Sequence, residues 1–392
     1  MRGLGARGCR GLVVGSDVTN ARRGVVSCAT PTPAPPEGGV RRVAVVGGGL
    51  AGLSTAWHLL RAPSGADVDL YDAAGVGSGA SSVAAGLLHP LNTQGNPAWR
   101  GRDAVASALC MFRDVQDARE PPFYRRTGLR KEVKKKGVLA GYVEEDEAYA
   151  VDSARYLQAV ASACTRIGLR LERRQVESLV DLQDYDAIVV AAGAAFGTVA
   201  EFRGALPLRC KRTWTVDCVP GASMDSVSGN ASAPSLLGSG YAVRHGDRWS
   251  LGAVHEDHPG GQDALRATSE PASDDGVRAE AILAKAAAAW PAEMAALACA
   301  PIRLQSGVRA LPPNVSEGRL PLLGRADHVD VAWKRADPSR SSAPVVWVFV
   351  GLGARGLLYH SLLGEATARA VLTGSEDAIP HELLRWKRIM LR

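Results

Sequence analysis

An α/β fold (α+β overall), a parallel sheet flanked by helices with a discontinuous antiparallel sheet inserted between its strands, follows from three observations. Val43–Val46, Asp186–Gly193 and Pro344–Val350 are each built on an unbroken apolar run that meets a glycine, the pattern of parallel strands buried on both faces. Glycine-rich turns at Gly47–Gly52 and Gly351–Gly356 stand where such strands should hand over to helices. Between residues 206 and 304, Thr213–Cys218 and Trp249–Val254 run or alternate as antiparallel strands do, with Gly- and Ser-rich loops between Gly221 and Gly240.

The first strand and its turn carry the most information. Gly47-Gly48-Gly49-Leu50-Ala51-Gly52 is a G-x-G-x-x-G placed where a helix begins. The first glycine permits the turn, the second lets backbone amides approach a diphosphate, and the third lets the helix pack on the strand. The diphosphate would sit on the helix N-terminus, beside Gly47, Gly49, Leu50, Ala51 and Gly52. A second strand, Val68–Tyr71, leads to Asp72, about twenty residues past Gly52, the spacing of a ribose-binding acid. That Rossmann-type arrangement predicts NAD or FAD, and the acid argues against the 2′-phosphate of NADP.

Residues 1–38 are expected to be a transit peptide and linker. Arg2, Arg7, Arg10, Arg22 and Arg23 face one acid, Asp17, and no signal-peptide core is present. Val26-Ser27-Cys28-Ala29 resembles the V-x-C-A site cut by the plastid stromal protease, which implies a chloroplast, with the mitochondrion as the alternative. TPTPAPPEGG (30–39) is a Pro-rich linker. The net charge of +6 falls to about +2 without the first 29 residues, so global charge does not point to nucleic acid. With 46% hydrophobic and 22% charged residues the chain can bury a sizeable core, and no apolar run reaches transmembrane length. The seven cysteines are scattered without C-x-x-C, which indicates neither a metal site nor a disulfide framework.

A second small-residue loop, Ala73–Ser82, follows the ribose acid directly, and Val83–Pro90 continues it. An NAD site has no use for a second anion cradle there, whereas an extended FAD does. G-x-G-x-x-G, the acid, G-[AS]-S and then a small-residue patch together resemble the D-amino-acid oxidase and glycine oxidase family of flavoproteins. The resemblance implies that Gly79, Ser81 and Ser82 bind the diphosphate and that Gly86 and Leu87 lie along the flavin ring. It continues through Val151-Asp152-Ser153, where Asp152 caps a helix through Arg166, and through Gln175-Val176-Glu177, where the backbone of Val176 would meet adenine. Gly193 is then a cofactor neighbour.

The last third resembles the family most closely. Gly307-Val308-Arg309-Ala310 matches its G-x-R-P, with Ala310 where Pro is usual and Asn314 near an expected Asp. Gly351–Leu358 resembles its second glycine-rich turn and brings Gly353, Ala354, Arg355, Gly356 and Leu357 to the pyrimidine end. That spelling is similar to the oxidase domain of the bacterial enzyme that modifies wobble uridines of tRNA.

By family position Arg309 is the carboxylate handle, Arg355 lies at the flavin edge, and Tyr241 presents its phenol to the substrate. His89, with His255 and His360, lies near the ring, and His89 is the candidate to take the amine proton. No cysteine stands where some sarcosine oxidases tether the cofactor, so FAD is expected to be noncovalent. The basic run Lys131–Lys136 is expected to be a solvated hairpin.

The resemblance implies an FAD-dependent oxidoreductase acting on the C–N bond of an amino acid or N-substituted glycine, reoxidised by O2 or another acceptor. A 2-hydroxyacid dehydrogenase, a tRNA-modifying oxidase and a non-catalytic flavoprotein assembly factor are the alternatives. The expected FAD-binding domain is 39–103, 145–205 and 305–375. The substrate domain is 104–144 and 206–304, and 376–392 is a C-terminal tail.

Overall fold

The structure is a computed structural model that describes residues 42–63, 65–135, 137–220, 233–265, 275–298, 300–333 and 343–390. The expected transit peptide and linker lie outside the described residues.

Six strands form the first sheet, in the order Leu322–Arg325, Val345–Val350, Ala187–Val190, Arg42–Val46, Asp67–Tyr71 and Arg170–Glu172. All neighbours are parallel except the edge strand Leu322–Arg325. The three apolar runs are its centre, and Val43–Val45, Ala187–Val190 and Val348–Phe349 are fully buried. Helices Leu50–Leu60, Gly101–Val115, Ser153–Arg166 and Gly356–Thr373 contribute to one apolar cluster against one face. Asp152 caps the third of these, accepting a hydrogen bond from Arg155 N at 3.1 Å.

The turn after the first strand is as tight as the motif demands. Gly47 has φ +114°, and a Cβ there would lie 2.5 Å from Ala191 O. A Cβ on Gly52 would lie 1.8 Å from Gly47 O, so the helix rests directly on the turn that starts it.

Seven strands form the second sheet, in the order Ala300–Leu311, Arg209–Val219, Arg248–His258, Tyr241–His245, Ser235–Leu237, Leu129–Lys135 and Val138–Glu145. It is antiparallel except where Ser235–Leu237 runs parallel to Leu129–Lys135. Helices Asp275–Ala289 and Pro291–Leu297, separated at Trp290 as the Trp-Pro pair predicts, contribute to its outer apolar cluster. A small sheet of Leu87–Leu88, Tyr149–Val151 and Tyr124–Arg126 completes the set.

Three expected boundaries change. The strand Ala300–Leu311 pairs with Arg209–Val219, so Arg309 belongs to the second sheet and not to the 305–375 segment of the first. Helix Gly101–Val115 packs in the first cluster, because its apolar stripe (Ala104, Ala108, Met111, Phe112) meets the helices there. Residues 376–390 do not hang as a tail. Trp386 is 3% exposed and donates from Nε1 to Leu323 O at 2.9 Å, and Glu376 accepts from Arg325 N, so both fasten the edge strand.

Lys131–Lys136 does open a hairpin, with Leu129–Lys135 paired to Val138–Glu145. Lys131, however, is buried. Its register places it on the inner face of the sheet, and the expectation of a wholly solvated run is corrected there. No helix of the described residues is long and apolar enough to cross a membrane.

Trp386→Ala removes a large buried ring and its hydrogen bond to the edge strand, and is expected to cost about 3–5 kcal/mol. A chemical-denaturation midpoint checks it; a change below about 1 kcal/mol would show that the C-terminal segment is not part of the cooperative fold.

Candidate active site

The carboxyl ends of parallel strands are where an open α/β sheet binds its ligands. Here the glycine turns after Arg42–Val46, Ala187–Val190 and Val345–Val350 end at that edge side by side, since Val46 and Val348 are both in register with Val190. They open on a cavity of about 600 Å³ that extends to the inner face of the second sheet.

One end is lined by Tyr71, Arg174, Gln175 and Val176. The Arg174 guanidinium lies over the Tyr71 ring, 4.4 Å from its centroid. Gly47, Gly49, Leu50, Ala51, Asp72, Gly79 and Ser81 line the next stretch. Ser81 Oγ accepts from Leu50 N at 3.2 Å, so the second loop is fastened to the helix N-terminus. Gly86, Leu87, His89, Gly193, Gly353, Ala354, Gly356 and Leu357 follow. Thr213, Thr215, Tyr241, His255 and Arg309 close the far end.

Four expected site residues stand back from the cavity wall. Gly52 serves helix–strand packing, as above. Ser82 turns inward and donates to Gly79 O at 3.2 Å. Arg355 does not line the wall, and its Nη1 donates to Leu91 O at 3.1 Å. His360 is buried beneath its helix, with Nε2 2.6 Å from the Tyr156 hydroxyl. Thr213, Thr215, Arg174 and Leu237 line the wall without having been singled out in the sequence. The alternation of Thr213-Trp214-Thr215 on a strand is the one signal that marked its two threonines as a polar face.

Asp72 does more than wait for a ribose. Oδ2 accepts from Gly48 N at 2.7 Å, and Oδ1 accepts from Ala74 N at 3.0 Å, Gly75 N at 2.7 Å and Ser78 Oγ at 3.3 Å. The carboxylate therefore ties the glycine turn to the second loop, and the two anion cradles are held by one side chain.

Both cavity histidines are neutral. Burial lowers His89 to about 3, with Arg355 and Lys131 adding to the effect, and burial together with Arg309 lowers His255 to about 4. His89 Nδ1 accepts from Leu91 N at 3.2 Å. His255 Nδ1 faces Arg309 Nη2 at 3.4 Å, which can only donate, and Thr213 Oγ1 at 3.2 Å. Each imidazole thus carries its proton on Nε2. The expectation that His89 takes the amine proton meets a ring whose accepting nitrogen is already used by the backbone.

Arg309 is the unsatisfied group of the site. Its Nε is buried without a hydrogen-bond partner among the described residues, and burial lowers its pKa. Burial raises the Tyr241 phenol, which stays un-ionised beside it.

These residues fit FAD. Helices Leu50–Leu60 and Gly356–Thr373 both start at the cavity, with no side-chain cap and no acid in the first turn. Apart from Leu50 N, taken by Ser81 Oγ, and Leu358 N, taken by Arg355 O, their first-turn N–H groups suit the diphosphate and the pyrimidine carbonyls of a flavin. The lining runs from Arg174 through both glycine turns to Arg309, and no described cysteine lines it.

Asp72→Asn sets an amide NH2 against backbone N–H donors and is expected to cost about 1–3 kcal/mol of stability even without cofactor. An unchanged denaturation midpoint would remove Asp72 from that tie.

The comparisons agree with this architecture. The family model described as FAD dependent oxidoreductase matches residues 42–131 and 113–370. No curated protein matches in sequence. Glycine oxidase from Geobacillus kaustophilus superposes with a TM-score of 0.64 at 18% identity, over 88% of this chain and 98% of that one. Iminodiacetate oxidase from Chelativorans sp. BNC1 gives 0.63 at 19%, over 87% and 98%, and L-proline dehydrogenase from P. horikoshii gives 0.65 at 14%, over 92% and 100%. Those likenesses bear on the fold, and the family match covers most of the sequence. The chain belongs to the D-amino-acid oxidase family of FAD-dependent oxidoreductases.

Proposed function

We propose that the protein oxidises the C–N bond of an amino acid or N-substituted glycine. The observation that carries the reading is Arg309, a guanidinium in the cavity wall with a buried, unpartnered Nε. Its fork matches a substrate carboxylate in a two-point pair. The names of the similar structures support the same class, since glycine, iminodiacetate and L-proline are all amine-bearing carboxylates.

Bound FAD supplies the hydride acceptor. The chain's own part is to hold and orient. Arg309 fixes the carboxylate, and the neutral Tyr241 hydroxyl adjoins it as a donor. Asp72 is the one carboxylate among the described residues that line the cavity, and its oxygens are occupied by the chain. No acid therefore holds the substrate nitrogen as an ammonium ion, so the amine reacts in its neutral form. His255, with Nδ1 facing Arg309 and Thr213 and its proton on Nε2, has no free nitrogen with which to remove a proton. Leu237, Leu352 and Val308 line the same cavity and exclude water from it.

Anaerobic bleaching of the purified flavoprotein by D-amino acids, glycine and sarcosine, against 2-hydroxyacids, tests the class; bleaching by 2-hydroxyacids alone would replace it with C–OH oxidation. Readmitted air then separates an oxidase from a dehydrogenase. Arg309→Ala is expected to lower kcat/KM for carboxylate substrates by about 10²–10³-fold, with the visible absorbance of bound FAD retained. Unchanged kinetics would sink Arg309 as the handle.

The histidines set a second expectation. Protonation of His89 and His255 begins only as the pH falls through about 3 and about 4, so both stay neutral above pH 6. The kcat/KM profile should show no limb near the ordinary histidine value and should climb until the substrate amine is deprotonated. A limb between pH 6 and 7 that His255→Gln abolishes would overturn the neutral, low-pKa state of His255.

A further inference from the structure

One cross-strand row of the second sheet runs Lys131–Leu237–Tyr241–Gly252–Thr215, each residue in register with the next. Residues paired across neighbouring strands share a face. Leu237, Tyr241 and Thr215 all line the cavity, so Lys131 ends the row on the cavity side. Adjacent strands lie about 4.8 Å apart, which puts the Lys131 and Tyr241 backbones roughly 10 Å apart, and the Arg309 charge acts on the Tyr241 phenol, so its guanidinium reaches across the sheet toward this row.

The charge there is not balanced. Lys131 is 6% exposed and forms no hydrogen bond or ion pair among the described residues. Glu132 belongs to the opposite face, where it accepts from Ser239 N at 2.8 Å and lies 3.9 Å from Lys134. Arg355, bonded to Leu91 O, has no carboxylate partner among the described residues, and His89 is neutral. Burial lowers the Lys131 pKa, the Arg355 charge lowers it further, and the neighbouring Glu132 carboxylate opposes both in part. Two cations thus lie within electrostatic reach of each other just behind the cavity wall, and neither forms an ion pair among the described residues. A buried ammonium with no ion-paired partner is costly, and a ligand anion reduces that cost.

We propose that Lys131, backed by Arg355, is a second anion-binding point that selects substrates with a further carboxylate besides the one at Arg309: dicarboxylic amino acids or N-carboxyalkyl amino acids. The substrate chemistry rests on the amine-oxidation reading above, whereas the charge requirement rests on Lys131. A phosphate would satisfy the same ammonium, so the test carries it as a separate arm.

The measurement is calorimetric binding of non-reducing anions to the FAD-loaded protein: succinate and glutarate against propionate and butyrate, with inorganic phosphate alongside. The dicarboxylates are expected to bind at least about tenfold tighter than their monocarboxylate counterparts, a selectivity that falls to about one in Lys131→Met and is partly kept in Lys131→Arg. The visible flavin spectrum reports that each variant is folded and loaded. No dicarboxylate binding, a ratio near one in the unaltered protein, or an undiminished ratio in Lys131→Met would overturn the proposal. Phosphate preferred over both dicarboxylates, and lost in Lys131→Met, would overturn the carboxylate assignment. Because none of these anions reduces flavin, failure of every amine to bleach it would refute amine oxidation while leaving this selectivity to stand or fall separately.

Discussion

At Gly52 the first helix touches the carbonyl of Gly47, with no room for even one carbon between them. That contact fixes where the helix N-terminus lies relative to the first strand. The strand in turn fixes its neighbours by register, so the turns at Gly193 and Gly351 open at the same edge. The second helix to start there, Gly356–Thr373, packs against the first in the same apolar cluster. Two helix N-termini are thereby held a constant distance apart, which an elongated cofactor requires.

What could be read from the residues alone was whatever is decided within a short span of chain. A glycine turn, the acid after the next strand and an N-cap such as Asp152 announce themselves because turn, spacing and cap are local. The inner strands were legible for a related reason: burial on both faces leaves only apolar residues to choose from. Lys131 was misjudged because its surroundings come from pairing with Leu237, more than a hundred positions away, and a charge run looks alike whichever side of a sheet it faces. Residues 305–311 join the second sheet against expectation for the same reason, since only the pairing partner of that strand decides its membership. The role of His89 turned on one backbone N–H two residues downstream, a detail of tautomer that no residue pattern encodes.

The cavity is electrostatically lopsided. Its only described carboxylate is spent on the polypeptide itself, while Arg309 and Arg174 line it and Lys131 with Arg355 lie behind its wall. In a region of low dielectric such an imbalance acts on every group that enters. It adds to the burial that keeps both imidazoles neutral, favours bound anions and leaves a substrate amine without an ionic partner. The site's preferences therefore arise as much from missing negative charge as from any single residue.

The two sheets are threaded through one another along the chain. The second takes strands from residues 129–145, 209–258 and 300–311, and the first receives its last two only at 322–325 and 345–350. Neither can close early. During synthesis, Ala187–Val190 presents an unpaired apolar edge until residue 345 has been made, because its second neighbour does not yet exist. Such edges are where nascent chains aggregate or recruit chaperones. Cofactor capture is consequently a late event in the life of this polypeptide, and a chain cut short before Val350 would have no complete cradle with which to perform it.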